Sequence, residues 1–314
     1  MRRFFVAALF ALFAALSPAQ RPPDNAFRFS ILGDRTGGAN QKVYEQAWRE
    51  IDRLHPDFIV NVGDTIEGGN DATAHAEWQA LRPFWKSYKY QQFFTPGNHD
   101  IWSSTSRRIF AEQTGHAPPY SFNRQNAHFT VLDNSQIETL DDGQLQFLEH
   151  DLQENRARSP KFVLFHKMFW LLPLKLDSGE FPLHKLALKY GVNYVISGHG
   201  HQFVRLARDG VVYLEVGSSG GHLRGRDRTE GYAQGWFYQH VLVEVRGSKI
   251  EATVNELGPP LGQGRSVRIE DCCRPKAAGV GLEYRDHETP SSPSVSAVLD
   301  AGRTATSAHA SGLR

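Results

Sequence analysis

The chain has 314 residues, of which 40% are hydrophobic, so it is long enough to bury a full core as one large domain with tails. The 35 basic and 34 acidic residues give a formal net charge of +1, so the overall charge gives no reason to expect a specific nucleic-acid partner. Adjacent Cα atoms lie only about 3.8 Å apart, so a disulfide between Cys272 and Cys273, the two cysteines present, is not expected.

The first nineteen residues have the features of a secretory signal. Arg2 and Arg3 precede an apolar run over residues 4–16, and Ser17-Pro18-Ala19 then predicts cleavage after Ala19. A membrane anchor is the less favoured alternative, because about 20 apolar residues are needed to span a bilayer. We therefore expect a secreted or periplasmic protein with no transmembrane segment after cleavage.

Between residues 20 and 257, short apolar runs alternate with amphipathic stretches, which is the pattern of an α/β domain. The predicted strands cover residues 27–32, 58–62, 93–95, 162–165, 194–197, 211–216, 237–245 and 250–254. Predicted helices carry apolar positions over 43–54 and 78–88, begin at the cap Asp141, and run from Pro182 to Tyr190. Residues 258–314 are rich in Gly, Pro, Ser, Ala and Thr, which predicts a mostly disordered tail.

Polar motifs follow five of the predicted strands. They are Gly33-Asp34, Gly63-Asp64, Gly97-Asn98-His99-Asp100, His166 and Gly198-His199-Gly200-His201. Ligand sites in α/β sheets lie at the carboxyl ends of strands, so these motifs are expected to converge. A set of candidate ligands made of Asp, Asn and His, without Cys, is typical of sites that bind Mn, Fe, Zn or Co. Two such ions hold a nucleophilic water and a phosphate oxygen together, so the pattern predicts a metal-dependent hydrolase.

The ordered series GD, GD, GNHD, H and GHGH resembles the calcineurin-like metallophosphoesterase family from about Phe27 to His201. GNHD and GHGH are the specific parts. The resemblance implies an α/β four-layer sandwich of two facing β-sheets flanked by helices. It also implies hydrolysis of a small phosphate mono- or diester, in which a metal-bridging hydroxide attacks phosphorus.

The same resemblance implies a role for each motif residue. Asp64 bridges two metal ions, Asp34 and His201 bind the first ion, and the remaining three ligands bind the second: Asn98, His166 and His199. His99 stabilises the transition state or protonates the leaving oxygen, and Asp100 orients His99. General-acid assistance of this kind contributes about 10² to 10⁴ in rate.

One position departs from the family pattern. The family usually has a metal-binding His two residues after the first Asp, and Thr36 stands there in this chain. A neutral hydroxyl is a poorer ligand than imidazole, so the first metal is expected to bind more weakly, or water to complete its shell. Arg35 and Thr36 are the candidate substrate-binding residues, because a guanidinium is well shaped to hold phosphate. Side chains alternate along an extended segment, so Arg35 pointing away from Asp34 is an open alternative.

Two rival functions remain open. Gly217-Ser218-Ser219-Gly220-Gly221 matches the GxSxG pattern of a serine esterase, but no apolar helical period follows it. The other rival is a non-catalytic binding protein with the same fold, and the missing His at position 36 is the reason to consider it. His222 follows a glycine-rich turn and is interpreted as a surface histidine, with an approach to the pocket as the alternative. The aromatic residues beside motif positions are interpreted as packing residues, with substrate stacking as the alternative: Trp102, Phe169, Trp170 and Trp236.

Overall fold

The computed structural model describes residues 26–176, 180–223, 228–258 and 260–273. The predicted signal over 1–19 and residues 274–314 of the predicted tail lie outside this part of the chain. Twelve strands are described: β1 (Ala26–Leu32), β2 (Phe58–Asn61), β3 (Gln91–Phe94), β4 (Tyr120–Arg124), β5 (Ala127–Val131), β6 (Lys161–Lys167), β7 (Tyr194–Gly198), β8 (Phe203–Arg208), β9 (Val211–Val216), β10 (Gln239–Arg246), β11 (Lys249–Glu256) and β12 (Ser266–Arg268).

These strands form two six-stranded sheets. The first has the order β12-β11-β10-β1-β2-β3, and the second has the order β4-β5-β6-β7-β9-β8. β1, β2 and β3 run parallel, as do β5, β6, β7 and β9, while the other strand pairs are antiparallel. Each sheet therefore has a parallel part whose carboxyl ends lie along one edge.

Aromatic packing between the two sheets forms the central core. The Phe29 ring stacks on Phe58 in its own sheet at 5.2 Å, and meets Phe129 and Phe162 of the other sheet edge-on at 5.3 and 5.4 Å. Successive side chains of a strand point to opposite faces of the sheet. Leu32 and Ile59 therefore lie on the outer face of the first sheet, where they pack against the helix formed by Gln41–Leu54. Both faces of these strands are covered, which explains their nearly continuous apolar sequences.

Seven helices lie within the described residues: α1 (Gln41–Leu54), α2 (Asp71–Lys86), α3 (Ser104–Thr114), α4 (Asp142–Glu154), α5 (Leu171–Lys175), α6 (Pro182–Tyr190) and α7 (Arg228–Ala233). Asn40 caps α1 and Asp141 caps α4 through side-chain acceptors, and Gly191 ends α6 in the left-handed conformation. α1 covers the first sheet, and α4 and α6 cover the second. The predicted arrangement of two facing sheets flanked by helices is confirmed. No helix in this part of the chain is long and apolar enough to cross a membrane.

The structure corrects two predictions about the end of the chain. Residues 266–268 form β12 on β11, and Ile269 is fully buried in the central core, so the folded domain extends beyond residue 257. The short strand was missed because its apolar content is low. Cys272 and Cys273 form a disulfide, contrary to expectation, and the peptide bond between them is cis. The expectation from the Cα spacing assumed a trans peptide bond between the two cysteines, which keeps their side chains apart.

Candidate metal centre

The five polar motifs meet at one cleft of about 260 Å³. The cleft lies at the carboxyl ends of β1, β2 and β3 in one sheet and of β6 and β7 in the other. Its lining includes residues from three of the motifs, with two further positions: Gly37, Asp64, Asn98, His99, His199, His201 and His222. Asp34 and His166, from the other two motifs, lie next to these residues in the ligand groups described below. The expected convergence at strand ends therefore holds, although the five strands come from two sheets, and β4 and β5 intervene between β3 and β6.

Two groups of side chains at the cleft have the arrangement of metal ligands. Asp64, His166 and His199 form one group, and Asp34, Asp64 and His201 form the other, with one ligand atom per residue lying within 4.8 Å of the others. Asp64 belongs to both groups. This is the sharing that a carboxylate bridging two ions requires.

The local backbone turns these side chains inward. Asp34, Asp64, His199 and His201 have positive φ values of 51°, 56°, 81° and 56°, a conformation that non-glycine residues rarely adopt. Hydrogen bonds between motifs hold it, because the His199 amide donates to Asp34 Oδ1 at 2.8 Å and the His99 amide donates to Asp64 Oδ1 at 3.0 Å. Such conformations cluster at functional sites, where the surrounding structure supports them.

The donor atoms at the cleft fit metal ions. Asp34 Oδ2 and Asn98 Oδ1 are buried and accept no hydrogen bond from any described group, which is costly for polar atoms unless a cation approaches them. His166 Nδ1 lies 2.8 Å from the Val62 carbonyl oxygen, and His201 Nδ1 lies 2.7 Å from that of His222. A carbonyl oxygen only accepts, so each Nδ1 carries the proton and each Nε2 keeps its lone pair for a metal.

The electrostatics also favour cations. Burial, together with the Asp64 charge, raises the pKa of Asp34 to about 8 and that of Asp100 to about 6. Burial alone would raise the pKa of Asp64, but the charge and hydrogen bond of His166 hold it well below its usual range. Burial disfavours the charged form of His166, but the charge and hydrogen bond of Asp64 raise the pKa of His166 to about 9. Burial and the His166 charge lower the pKa of His199 to about 4. A bound cation would supply the charge that the His166 proton provides and would displace that proton.

His99 faces the cleft, but Asp100 does not orient it as expected. His99 Nδ1 lies 2.6 Å from the Glu67 carbonyl oxygen, so that carbonyl fixes the ring. Asp100 is fully buried, and its carboxylate accepts from the amides of Thr65, Ile66 and Gly97. Asp100 therefore holds the loops that carry Asp64 and Asn98, which is a positioning role.

Arg35 is not among the residues that line the cleft. Its guanidinium donates to the Thr65 carbonyl at 3.1 Å and to Gln41 Oε1 at 3.4 Å, and it lies over the Tyr44 ring. The alternative in which Arg35 points away from Asp34 is therefore the correct one.

The serine esterase alternative is contradicted by the position of Ser219. Its side chain is fully buried, and its hydroxyl donates to the Gly33 carbonyl at 2.6 Å. The next described helix, α7, begins only at Arg228, so the strand–turn–helix context of a serine nucleophile is missing from the described residues. Ser219 instead ties the loop after β9 to the end of β1.

Comparison with known proteins decides the family. A model of the calcineurin-like phosphoesterase family matches residues 27–203, more than half of the chain. The chain belongs to this family. A comparison with curated protein sequences found no match. The prediction made from the motifs is therefore confirmed, and a calcineurin-like phosphoesterase is in general a metal-dependent hydrolase of phosphoesters that uses two metal ions.

Solved structures show the same fold at low sequence identity. Purple acid phosphatase PPD1 from yellow lupin has a TM-score of 0.57 and 13% identity, with 81% of this chain and 57% of that chain covered. GAP50, the anchor in the inner membrane complex of Plasmodium, has a TM-score of 0.57 and 14% identity, with 80% of this chain and 90% of that chain covered. A dimetal phosphatase from Danio rerio has a TM-score of 0.52 and 13% identity, with 77% of this chain and 98% of that chain covered. These likenesses establish the fold alone.

Thr36 is where this calcineurin-like phosphoesterase departs from its family. Its side chain is fully buried, it does not line the cleft, and its amide lies 3.3 Å from the Asp64 carbonyl. Neither the metal-binding His of the family nor the substrate contact expected of Thr36 is therefore provided at this position. The group on that side consists of Asp34, Asp64 and His201, and three ligands with an open position are typical of catalytic zinc.

Three residues of this phosphoesterase were not identified as site residues from the sequence. Glu67 holds His99 through a main-chain oxygen, for which side-chain type gives no signal. His222 is exposed, as expected of a surface histidine, and it also lines the cleft, where its carbonyl oxygen orients His201. Glu215 on β9 is fully buried beneath the GHGH loop, where burial and the Asp34 charge raise its pKa well above the usual value. An acidic residue in an apolar strand was the available signal for Glu215.

Gly97 lies against the shared carboxylate, so Gly97→Ala is expected to lower kcat/KM for an aryl phosphate by about 10²-fold. A Cβ at Gly97 would lie 2.2 Å from Asp64 Oδ1 and 2.3 Å from the Asp64 amide nitrogen, so Asp64 must move. Steady-state kinetics checks this. Gly143→Ala is the matched control, because its Cβ meets nothing closer than 3.4 Å. Equal activity in the two variants would contradict the required placement of Asp64.

Proposed function

We propose that this protein is an exported hydrolase of phosphate mono- or diesters, with Asp64 shared by two metal ions. The observation that carries the proposal is that two ligand groups meet at one carboxylate in one cleft, with His99 facing the same space. When bound, the metal ions supply a more acidic water and neutralise charge on the phosphoryl oxygens. Asp34 and His201 are proposed for the first ion, and Asn98, His166 and His199 for the second.

His99 is proposed to assist the leaving group. Because the Glu67 carbonyl accepts from Nδ1, Nε2 is the ring nitrogen available to the cleft. As an imidazolium, His99 carries a second proton at Nε2 and transfers it to the ester oxygen as the bond to phosphorus breaks. Asp100 contributes by fixing the backbone at Gly97 and Thr65, next to Asn98 and Asp64.

A screen of phosphate esters with metal replacement tests the proposal. Chelator-treated protein is assayed with aryl monoesters and diesters after addition of Mn²⁺, Zn²⁺, Co²⁺ or Fe²⁺. We expect hydrolysis with at least one metal, and no inhibition by an organophosphate that modifies serine. Protein that binds metal but hydrolyses no ester with any of them would favour the non-catalytic binding protein.

Metal binding is also expected to stabilise the fold, since a ligand that binds only the native state adds about 2.7 kcal/mol at a hundred times its Kd. Thermal unfolding of chelator-treated protein should shift to higher temperature as Mn²⁺ is added, and excess chelator should reverse the shift. Thr36 predicts two phases, because the group without the family's His binds its ion more weakly. No shift at millimolar Mn²⁺ would count against the metal centre.

Export is proposed from residues 1–19 alone. The amino terminus of protein collected from the periplasm or the culture medium is expected to be Gln20. Recovery of the chain only inside the cytoplasm, with Met1 retained, would contradict it.

A further inference from the structure

A second and larger cavity lies beside the metal cleft. It has a volume of about 600 Å³, which is within the range of small-molecule sites. The consecutive residues Trp236, Phe237 and Tyr238 line it, together with the aliphatic side chains of Val43, Leu223 and Leu261. Leu261 is 41% exposed. The cavity is therefore mostly apolar, and part of its apolar surface is accessible to a ligand.

The cleft and the cavity share a wall. His222 lines the cleft and the next residue, Leu223, lines the cavity; likewise Gly37 lines the cleft and Asn40 the cavity. Hydrogen bonds hold the two segments side by side, because the His222 amide donates to Gly37 O at 3.0 Å and the Asn40 amide donates to Gly220 O at 2.8 Å. The cleft and the cavity therefore adjoin each other along these two segments.

The charges of the cavity define what it accepts. Glu256 is the carboxylate side chain among its described lining residues, and Glu256 Oε2 lies 3.7 Å from Arg265 Nε and 3.4 Å from the Arg265 amide nitrogen. An acidic side chain disfavours a second phosphate group in the cavity, and aromatic faces favour stacking or apolar contact. An uncharged, bulky organic group matches this lining.

We propose that this cavity binds the organic group of the phosphate ester, and that the substrate carries one phosphate group on a bulky apolar alcohol. The inference rests on the proposed hydrolase function and adds a substrate class to it. Trp236 is then a specificity residue. Trp170 is buried in the core, where its Nε1 donates to Ser197 Oγ at 3.0 Å, and the partly buried Trp102 and Phe169 pack against core residues. Contacts with the cavity strengthen binding of large esters and leave small esters unaffected.

Leu261→Ser tests the proposal, with Leu188→Ser as the matched control. Leu188 is 46% exposed on α6, so both changes remove a similarly exposed leucine from the surface. For 1-naphthyl phosphate, Leu261→Ser should lower kcat/KM by about 5- to 20-fold, mainly through KM, and Trp236→Ala should do the same. For ethyl phosphate, all variants should stay within about twofold of wild type.

The outcomes separate the cavity from the hydrolase function. Hydrolysis of both esters with no dependence on Leu261 or Trp236, or an equal loss for both esters, would overturn the cavity proposal alone. Binding of 1-naphthol, a probe without phosphate, is measured by calorimetry on the same variants. If no ester is hydrolysed but 1-naphthol binds wild type and Leu188→Ser and binds Leu261→Ser at least about fivefold more weakly, the hydrolase function fails and the apolar site stands.

Discussion

Asp64→Asn is expected to lower kcat/KM for an aryl phosphate by about 10³-fold or more, which corresponds to about 4 kcal/mol of transition-state stabilisation. Asp64 is the carboxylate that both ligand groups share, and it lies 3.2 Å from His166. An asparagine keeps the size of the side chain but loses the negative charge and one oxygen acceptor. Steady-state kinetics at saturating Mn²⁺ measures the loss, and elemental analysis of the same samples measures bound metal.

Asp142→Asn is the control for this substitution, because it removes an exposed carboxylate at the start of α4. Its activity and metal content should equal those of wild type. The thermal unfolding of chelator-treated Asp64→Asn is recorded as well, so that loss of the fold is not mistaken for loss of chemistry. A folded Asp64→Asn variant with wild-type turnover would remove the metal mechanism.

His99→Ala is expected to lower kcat by about 10² to 10⁴ for esters with poor leaving groups while metal content stays unchanged. The ring is held through Nδ1 by the Glu67 carbonyl and is not part of either ligand group. A general acid matters most when the leaving oxygen is basic. The loss should therefore be large for an alkyl phosphate and small for 4-nitrophenyl phosphate, and the comparison of these two kcat ratios is the measurement.

His75→Ala serves as its control, since His75 is exposed on α2. It should match wild type for both esters. A uniform loss for both leaving groups in His99→Ala would mean that His99 stabilises charge on the phosphoryl oxygens instead. A wild-type rate for the alkyl ester would exclude His99 from the reaction.

The sequence predicts best where motif and strand coincide. Gly63-Asp64 and Gly97-Asn98-His99 follow buried apolar runs, so both their place at strand ends and their convergence follow from the parallel sheet. It could not show that the strands before Asn98 and His166 belong to different sheets. β4 and β5 went unpredicted, and β4 carries exposed polar residues at an edge that weaken the apolar signal.

Contacts made by main-chain atoms could not be predicted from the sequence. Glu67 fixes His99 through a carbonyl oxygen, and Asp100 serves backbone amides rather than a ring, which no side-chain pattern distinguishes. Arg35 was equally open, because its direction depends on whether Gln41 and Thr65 offer acceptors nearby. Thr36 differs, because the sequence alone showed that it replaces the family's His, and the structure shows that it is buried and does not line the cleft.

The most direct test is a metal titration of activity. Chelator-treated protein is assayed on an aryl phosphate while Mn²⁺ is added from zero to several equivalents. Two ions sharing Asp64 predict activity that is near zero without metal and rises with Mn²⁺. Activity should saturate only after the more weakly bound first ion occupies its site beside Asp34 and His201. Full hydrolysis in the metal-free protein, unchanged by Mn²⁺, would contradict the account.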